Sequence, residues 1–247
     1  LTMELAIGRA SKKSAVLAYK KLEKPKSKWH IHGWFCILGC YLLMMYYTPV
    51  SGWMLSYFFK FATGTFESGM TAEQVGNVFS NLMSNPVEMI IWMAVMAITG
   101  FFVCNKGIQN GIEKVSKVMM ILLLALIIIL AINSLTLSGA AEGIKFYLVP
   151  DLEKVQSIGI GHTSAMSQAF FTLSLGIASM EILGSYMTRE KTLPSESIKI
   201  CILDTFVAIT AGLIIFPACF SYGVEPNQGP ALIFVTLPNV FVNMAGG

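Results

Sequence analysis

Apolar residues recur in long uninterrupted runs along this chain, at roughly 33–61, 86–104, 115–137, 164–187 and 195–220. Each run is near or above the ~20 residues that cross ~30 Å of hydrocarbon. The pattern predicts an all-α membrane protein with five full transmembrane helices. From Met119 to Ile132 the chain is almost wholly aliphatic, as expected of a helix that meets lipid or other spans over much of its surface. Leu1 to Gly8 is a shorter apolar piece without an initiating Met, a basic n-region or a cleavage site, and reads as the end of a sixth span. The chain closes on Ala245-Gly246-Gly247 directly after an apolar loop, so it is expected to be the middle piece of a longer protein.

One span departs from the pattern. Residues 168–190 read QAFFTLSLGIASMEILGSYMTRE, with Ser174, Gly176, Ala178, Ser179 and Glu181 interrupting the apolar run. In lipid every backbone N–H and C=O needs a partner, so a weakened helix is tolerated only where protein, water or a ligand supplies one. Interrupted helices of this kind are where secondary transporters build ion and substrate sites.

The connections supply the orientation. Residues 9–32, 105–117 and 188–199 hold fourteen of the 17 Lys and Arg residues, which places them in the cytoplasm by the positive-inside rule. Residues 62–85 and 138–162 are polar and rich in Gly and Asn or Pro, and read as external loops. After the last span, 221–247 contains Pro226, Gly229, Pro230 and Pro238, and its ALIFVTL run is too short to span, so a re-entrant or capping loop is expected. With 55% hydrophobic residues, 13% charged residues and a mean hydropathy of +0.66, the chain lies outside the range of soluble domains, where about 25% are charged. The net charge of +3 is a topology signal, and the basic run at 9–28 lacks the aromatic pattern of a nucleic-acid surface. Cys36, Cys40, Cys104, Cys201 and Cys219 lie in or at the ends of spans, where free Cys packs as a small hydrophobe. His30, His32 and His162 are placed in loops and no G-x-S-x-G or H-E-x-x-H motif occurs, which disfavours an enzyme.

Two acids lie inside spans, Glu181 and Asp204, each costing roughly 2.5–3.5 kcal/mol at a helix centre. An intramembrane acid is a functional-site hypothesis by default. Asp204 has no basic residue near it on its own helix, so a cation from elsewhere is its natural partner. Thr172 and Ser174 stand just before the break, where hydroxyls and freed carbonyls suit a hard cation. With Asp204 they suggest a monovalent-ion site. Glu181 lies toward the cytoplasmic end, within reach of Arg189 or Lys191, and is a candidate gate or proton site together with Tyr186. Tyr46-Tyr47-Thr48-Pro49 puts two phenols near mid-membrane, where one is expected to line a cavity.

The segments ELAIGR at 4–9, YYTPVSGW at 46–53, GIEKVSKVMM at 111–120, QAFFTLSLG at 168–176 and GPALIFVTLPNVF at 229–241 together resemble the neurotransmitter:sodium symporter family, in particular its bacterial amino-acid transporters. The resemblance implies part of a LeuT-type fold, from the end of helix 2 (1–8) through helices 3 (33–61), 4 (86–104), 5 (115–137), interrupted 6 (164–187) and 7 (195–220) into extracellular loop 4 (221–247). It implies that Tyr47 holds a substrate carboxylate and that Leu43, Phe171, Ser174 and Ile177 surround the substrate side chain. It further implies that Thr172 and Asp204 ligate sodium, with Gln168 beside the ion.

Departures from the family pattern carry their own expectations. Asp204 replaces an asparagine and brings a fixed negative charge to the sodium, the job chloride performs in chloride-dependent members, so chloride is not expected to be required. Ile121 stands where many relatives have a helix 5 proline, Ile177 replaces a pocket phenylalanine, and Glu181 has no counterpart in LeuT. The implied function is sodium-coupled symport of an apolar or aromatic amino acid by alternating access, in a multi-pass protein of the bacterial inner membrane with a homodimer as a compatible assembly. A proton-coupled transporter of the same fold and a non-transporting ligand sensor are the alternatives. Helices 1 and 8, which complete the ion sites in this family, are absent from these 247 residues, so transport is expected only of the longer parent.

Overall fold

The computed structural model describes residues 1–149, 160–223 and 232–243. Parts of two expected external loops, 150–159 and 224–231, lie outside them, as do residues 244–247. The described residues form α1 (Thr2–Ser11), α2 (Ala15–Leu22), α3 (His30–Ala62), α4 (Ala72–Ser84), α5 (Pro86–Asn105), α6 (Lys114–Leu135), α7 (Ala140–Leu148), α8 (Ile160–Thr172), α9 (Ser179–Tyr186), α10 (Leu193–Tyr222) and α11 (Leu237–Asn243). Single π-helical segments, Ile108–Glu113 and Leu232–Thr236, lead into α6 and α11.

Four continuous helices are long and apolar enough to cross a membrane: α3, α5, the Gly111–Leu135 run that contains α6, and α10. Their apolar side chains point largely outward, with Phe101 77%, Ile98 68% and Ile129 62% exposed. Such a surface needs lipid or further helices around it. The fifth expected span is divided into α8 and α9, neither of which crosses alone. Expectation and structure differ in the connections, where α2, α4 and α7 replace what reads as loop. In α4 the reason is local. Thr71 and Gln74 form a capping box in which Thr71 Oγ1 accepts the Gln74 N–H and Gln74 Oε1 accepts the Thr71 N–H, satisfying two orphan donors of the first turn. Asn85 does the same for α5 by accepting the Glu88 N–H at 3.2 Å, with Pro86 at the first helical position. His30 and His32, expected in a loop, instead begin α3, and His30 Nδ1 lies 3.0 Å from Glu23 Oε1.

The chain divides into two compact units, Leu1–Met45 with Asp151–Phe206 and Tyr46–Pro150 with Val207–Gly247. In the second, Tyr57, Phe66, Val75, Leu82, Phe234 and Val242 form the core. Phe234 lies parallel to Phe79 with ring centroids 5.2 Å apart, so the short apolar run after α10 caps this core, as its length requires. Pro238 is the second residue of α11, which continues directly from the π-helical Leu232–Thr236. Pro217 removes a donor inside α10, and hydroxyls bind carbonyls in that stretch: Ser134 Oγ donates to Ile214 O and Ser221 Oγ to Pro217 O, each at 2.7 Å. Gly143 on α7 meets Pro217 so closely that a Cβ would lie 2.5 Å from its Cα. The helix α6 runs unbroken through Ile121, the position without the family's proline.

In the first unit α1 lies against α9. A Cβ on Gly184 would stand 2.5 Å from the Leu5 carbonyl oxygen, and one on Gly8 would collide with the Glu181 carbonyl. Two glycines thus bring the backbones into contact, the small-residue packing that serves helix association where no hydrophobic drive exists. Gly33 of α3 approaches Val16 of α2 in the same way. Overpacking of such contacts costs about 1–3 kcal/mol. In the full-length protein Gly8→Val is expected to lower the thermal midpoint by several degrees, whereas Gly100→Ala on α5, where a Cβ meets nothing within 4 Å, leaves it unchanged or raises it. Thermal unfolding in detergent measures both.

Candidate functional site

The site begins with the way α8 ends. Leu175 N–H donates to Phe170 O at 2.9 Å and Ser174 N–H to Phe171 O at 3.1 Å, while Ser174 takes a left-handed conformation with φ 51°. This is a Schellman ending, with serine at the position glycine usually fills. Gly176 at φ 86° and Ala178 at φ 60° continue the turn, and α9 restarts at Ser179. The break therefore spans 173–178. Ser179 and Glu181, expected inside it, belong to the first turn of α9, because the Ile182 N–H already finds the Ala178 carbonyl at 3.0 Å.

A side chain from another helix supports the broken segment. Glu4 of α1 accepts the Gly176 N–H on Oε1 at 2.7 Å, giving an orphan amide a charged partner. Ala178 is 2% exposed and packs with Ala15 and Cys36. Glu4 is a functional candidate that the sequence reading left without a role. Its signal was an acid inside the apolar piece Leu1–Gly8.

At the end of α8, Thr172 meets α10. Its Oγ1 donates to Asp204, with the carboxylate oxygens at 2.9 and 3.2 Å. The structure thus brings together the two side chains expected to ligate sodium. Carboxylate, hydroxyl and the carbonyls released at the break are all oxygen donors, which suits a hard cation. Among the described residues no group of three or more His, Cys, Asp or Glu could hold a metal ion.

The other expected residues distribute as follows. Gln168 and Phe171 line one open groove of about 600 Å³ along α8 with Thr163, Ser164 and Ser167. Ile177 reaches the backbone of α3, where a Cβ on Gly39 would stand 3.3 Å from its Cγ2; Leu43 lies one turn further along α3. Tyr47 belongs to the second unit, where its carbonyl accepts the Ser51 hydroxyl at 2.8 Å and its ring meets Tyr46 edge-on. Tyr186 is 58% exposed at the end of α9.

Glu181 differs from expectation. It is fully buried, and only the Tyr19 phenol of α2 is directed at its carboxylate, without a hydrogen bond of good geometry. Lys191, expected within its reach, instead offers its carbonyl to Arg9 Nη1 at 2.7 Å, and Arg189 is exposed. Nearness in sequence to basic residues was misleading because the first turn of α9 is buried against α1, whereas Arg189 and Lys191 in the following loop are exposed. On α2, burial and the Glu181 carboxylate push the Tyr19 phenol up to about 12.

The sequence model of the sodium:neurotransmitter symporter family matches residues 77–247. The chain belongs to the sodium:neurotransmitter symporter family. This symporter-family chain is 40% identical, over its whole length and 54% of the relative, to the uncharacterized sodium-dependent transporter YhdH of Bacillus subtilis. It is 35% identical, again over its whole length and 55% of the relative, to an uncharacterized sodium-dependent transporter of Haemophilus influenzae. Its fold superposes on the crystal structure of MhsT in complex with L-phenylalanine with a TM-score of 0.91 and 38% identity, covering 98% of this chain and 54% of that one. The chain therefore has the LeuT-type fold of a multi-pass membrane protein and spans about half the length of the curated relatives it matches.

A hydrogen bond to a charged acceptor contributes about 1.5–3 kcal/mol. In the full-length symporter-family protein, Glu4→Ala is expected to lower stability by about that amount and to raise amide exchange at Gly176, read by hydrogen–deuterium exchange with mass spectrometry.

Proposed function

We propose that the parent of this chain is a sodium-coupled symporter of an apolar or aromatic amino acid. The observation that carries the reading is the Thr172–Asp204 contact at the mouth of the broken helix, a paired hydroxyl and carboxylate beside carbonyls that the break releases. In this reading Thr172 and Asp204 are sodium ligands and Gln168 stands next to the ion. Tyr47 is assigned to the substrate carboxylate, and Leu43, Phe171, Ser174 and Ile177 are assigned to the substrate side chain. A pocket wall of Leu, Phe and Ile carries no fixed charge, which favours an apolar or aromatic side chain, and the similar MhsT was solved in complex with L-phenylalanine.

Asp204 supplies a permanent negative charge next to the cation, so sodium binding needs no separate anion. The parent is accordingly chloride-independent. It works by alternating access in the bacterial inner membrane, and a homodimer is compatible with this role. Tyr186 is assigned to the inner gate.

Three measurements test this reading in proteoliposomes containing the full-length protein. Wild-type uptake of a radiolabelled apolar or aromatic amino acid is expected to require a sodium gradient and to persist when chloride is replaced by gluconate; loss of uptake in gluconate would refute chloride independence. Tyr47→Phe is expected to abolish uptake, and wild-type transport by that variant would sink the carboxylate assignment. Asp204→Ala removes a charged ligand worth at least ~1.4 kcal/mol, so the sodium concentration for half-maximal uptake rises tenfold or more.

A further inference from the structure

The proposed transport site makes no use of Glu181, yet among the described residues it is the only fully buried carboxylate. Neither of its oxygens has a hydrogen bond of good geometry, the Tyr19 phenol being the donor directed at it, and the buried Oε2 of Glu4, whose other oxygen holds Gly176, has none. A carboxylate in such a position loses its hydration and gains little in exchange. The groups that face it do not offer charge compensation. Glu4 comes from α1, Tyr19 from α2, and Cys36, from α3, is electrostatically linked to both acids. Every one of these carries negative charge when it ionises. Three basic side chains of the same unit are spent on carbonyls: Arg9 on Lys191 O, Lys12 on Met187 O and Lys21 on Ser11 O.

A metal cation does not solve the problem either. Gly8 and Gly184 press the α1 and α9 backbones together with no room for even a methyl group, and a hard metal ion wants six or so oxygen ligands around it. A proton needs neither cavity nor ligand shell. A proton on Glu181 removes the buried charge and turns the carboxyl into a donor.

We propose that Glu181 is a proton-binding site: its carboxyl is carried neutral between α1 and α9, and loss of the proton forces these helices apart and frees Glu4 from Gly176. The proton goes to and from cytoplasmic water, with no other bond made or broken. The inner half of the broken helix is thereby latched at low pH and unlatched at high pH. The proposal stands independently of the transport reading, since failure of sodium-driven uptake would remove that reading and leave the two measurements below unaffected.

The test uses the purified full-length protein. Infrared spectra of the wild type at about pH 7 are expected to contain a protonated-carboxyl C=O band that disappears on alkaline titration and is missing from E181Q. A carboxyl that holds its proton when folded and releases it when unfolded supports the fold below its unfolded pKa and withdraws that support as pH rises toward the folded one. The thermal midpoint of the wild type should therefore fall relative to that of E181Q by about 5 °C or more between about pH 5 and pH 9. E181D, which keeps a titratable group, should retain a pH-dependent midpoint. Identical spectra for wild type and E181Q, or parallel pH curves, would overturn the proposal. So would an E181Q protein that fails to fold while E181D folds, because glutamine copies the neutral acid.

Discussion

A helix that stops inside hydrocarbon leaves amides and carbonyls that water cannot reach, and the rest of the first unit is arranged around supplying their partners. The Schellman turn at Ser174 closes part of the gap from within the chain. Glu4 closes another part from α1. What is left over is acceptor capacity: carbonyls and the Thr172–Asp204 pair, all oxygen and net negative. A cation is the complement of that surplus. Backbone accounting and ion chemistry are thus two descriptions of one constraint, and a change that repaired the helix would remove the cation's ligands with it.

The support must be placed accurately to be of use, and glycine is what allows it. The carboxylate of Glu4 reaches Gly176 because α1 runs in backbone contact with α9, and that contact exists only where Gly8 and Gly184 leave out a side chain. Bulkier residues there would move α1 outward by more than a hydrogen bond tolerates. Precise placement by packing rather than by attraction is characteristic of helices whose surroundings are as apolar as their own side chains.

The spans and the break were legible because hydropathy and membrane thickness dictate them directly. Thr172 with Asp204 was legible for a different reason: an unneutralised acid and a hydroxyl beside an interrupted helix share one chemical need. The short helices α2, α4 and α7 were not, since in polar connections a helix of 8 to 13 residues gives a weak periodic signal. In α4 the Thr71-x-x-Gln74 pair was the available clue. The surroundings of Glu181 were beyond sequence reasoning, because they depend on residues nearly 180 positions away coming to lie against α9, and Arg189 and Lys191 offered a simpler partner that the backbone turns aside.

The α1–α9 contact also bears on how such a chain can diverge. Leu5, Gly8, Glu181 and Gly184 meet reciprocally, each glycine lying on the backbone of the opposite helix. Because each glycine meets backbone atoms, no exchange of the side chain at Leu5 or Glu181 makes room for one at Gly8 or Gly184. The two glycines are therefore fixed by the course of the chain and not by the residues opposite them.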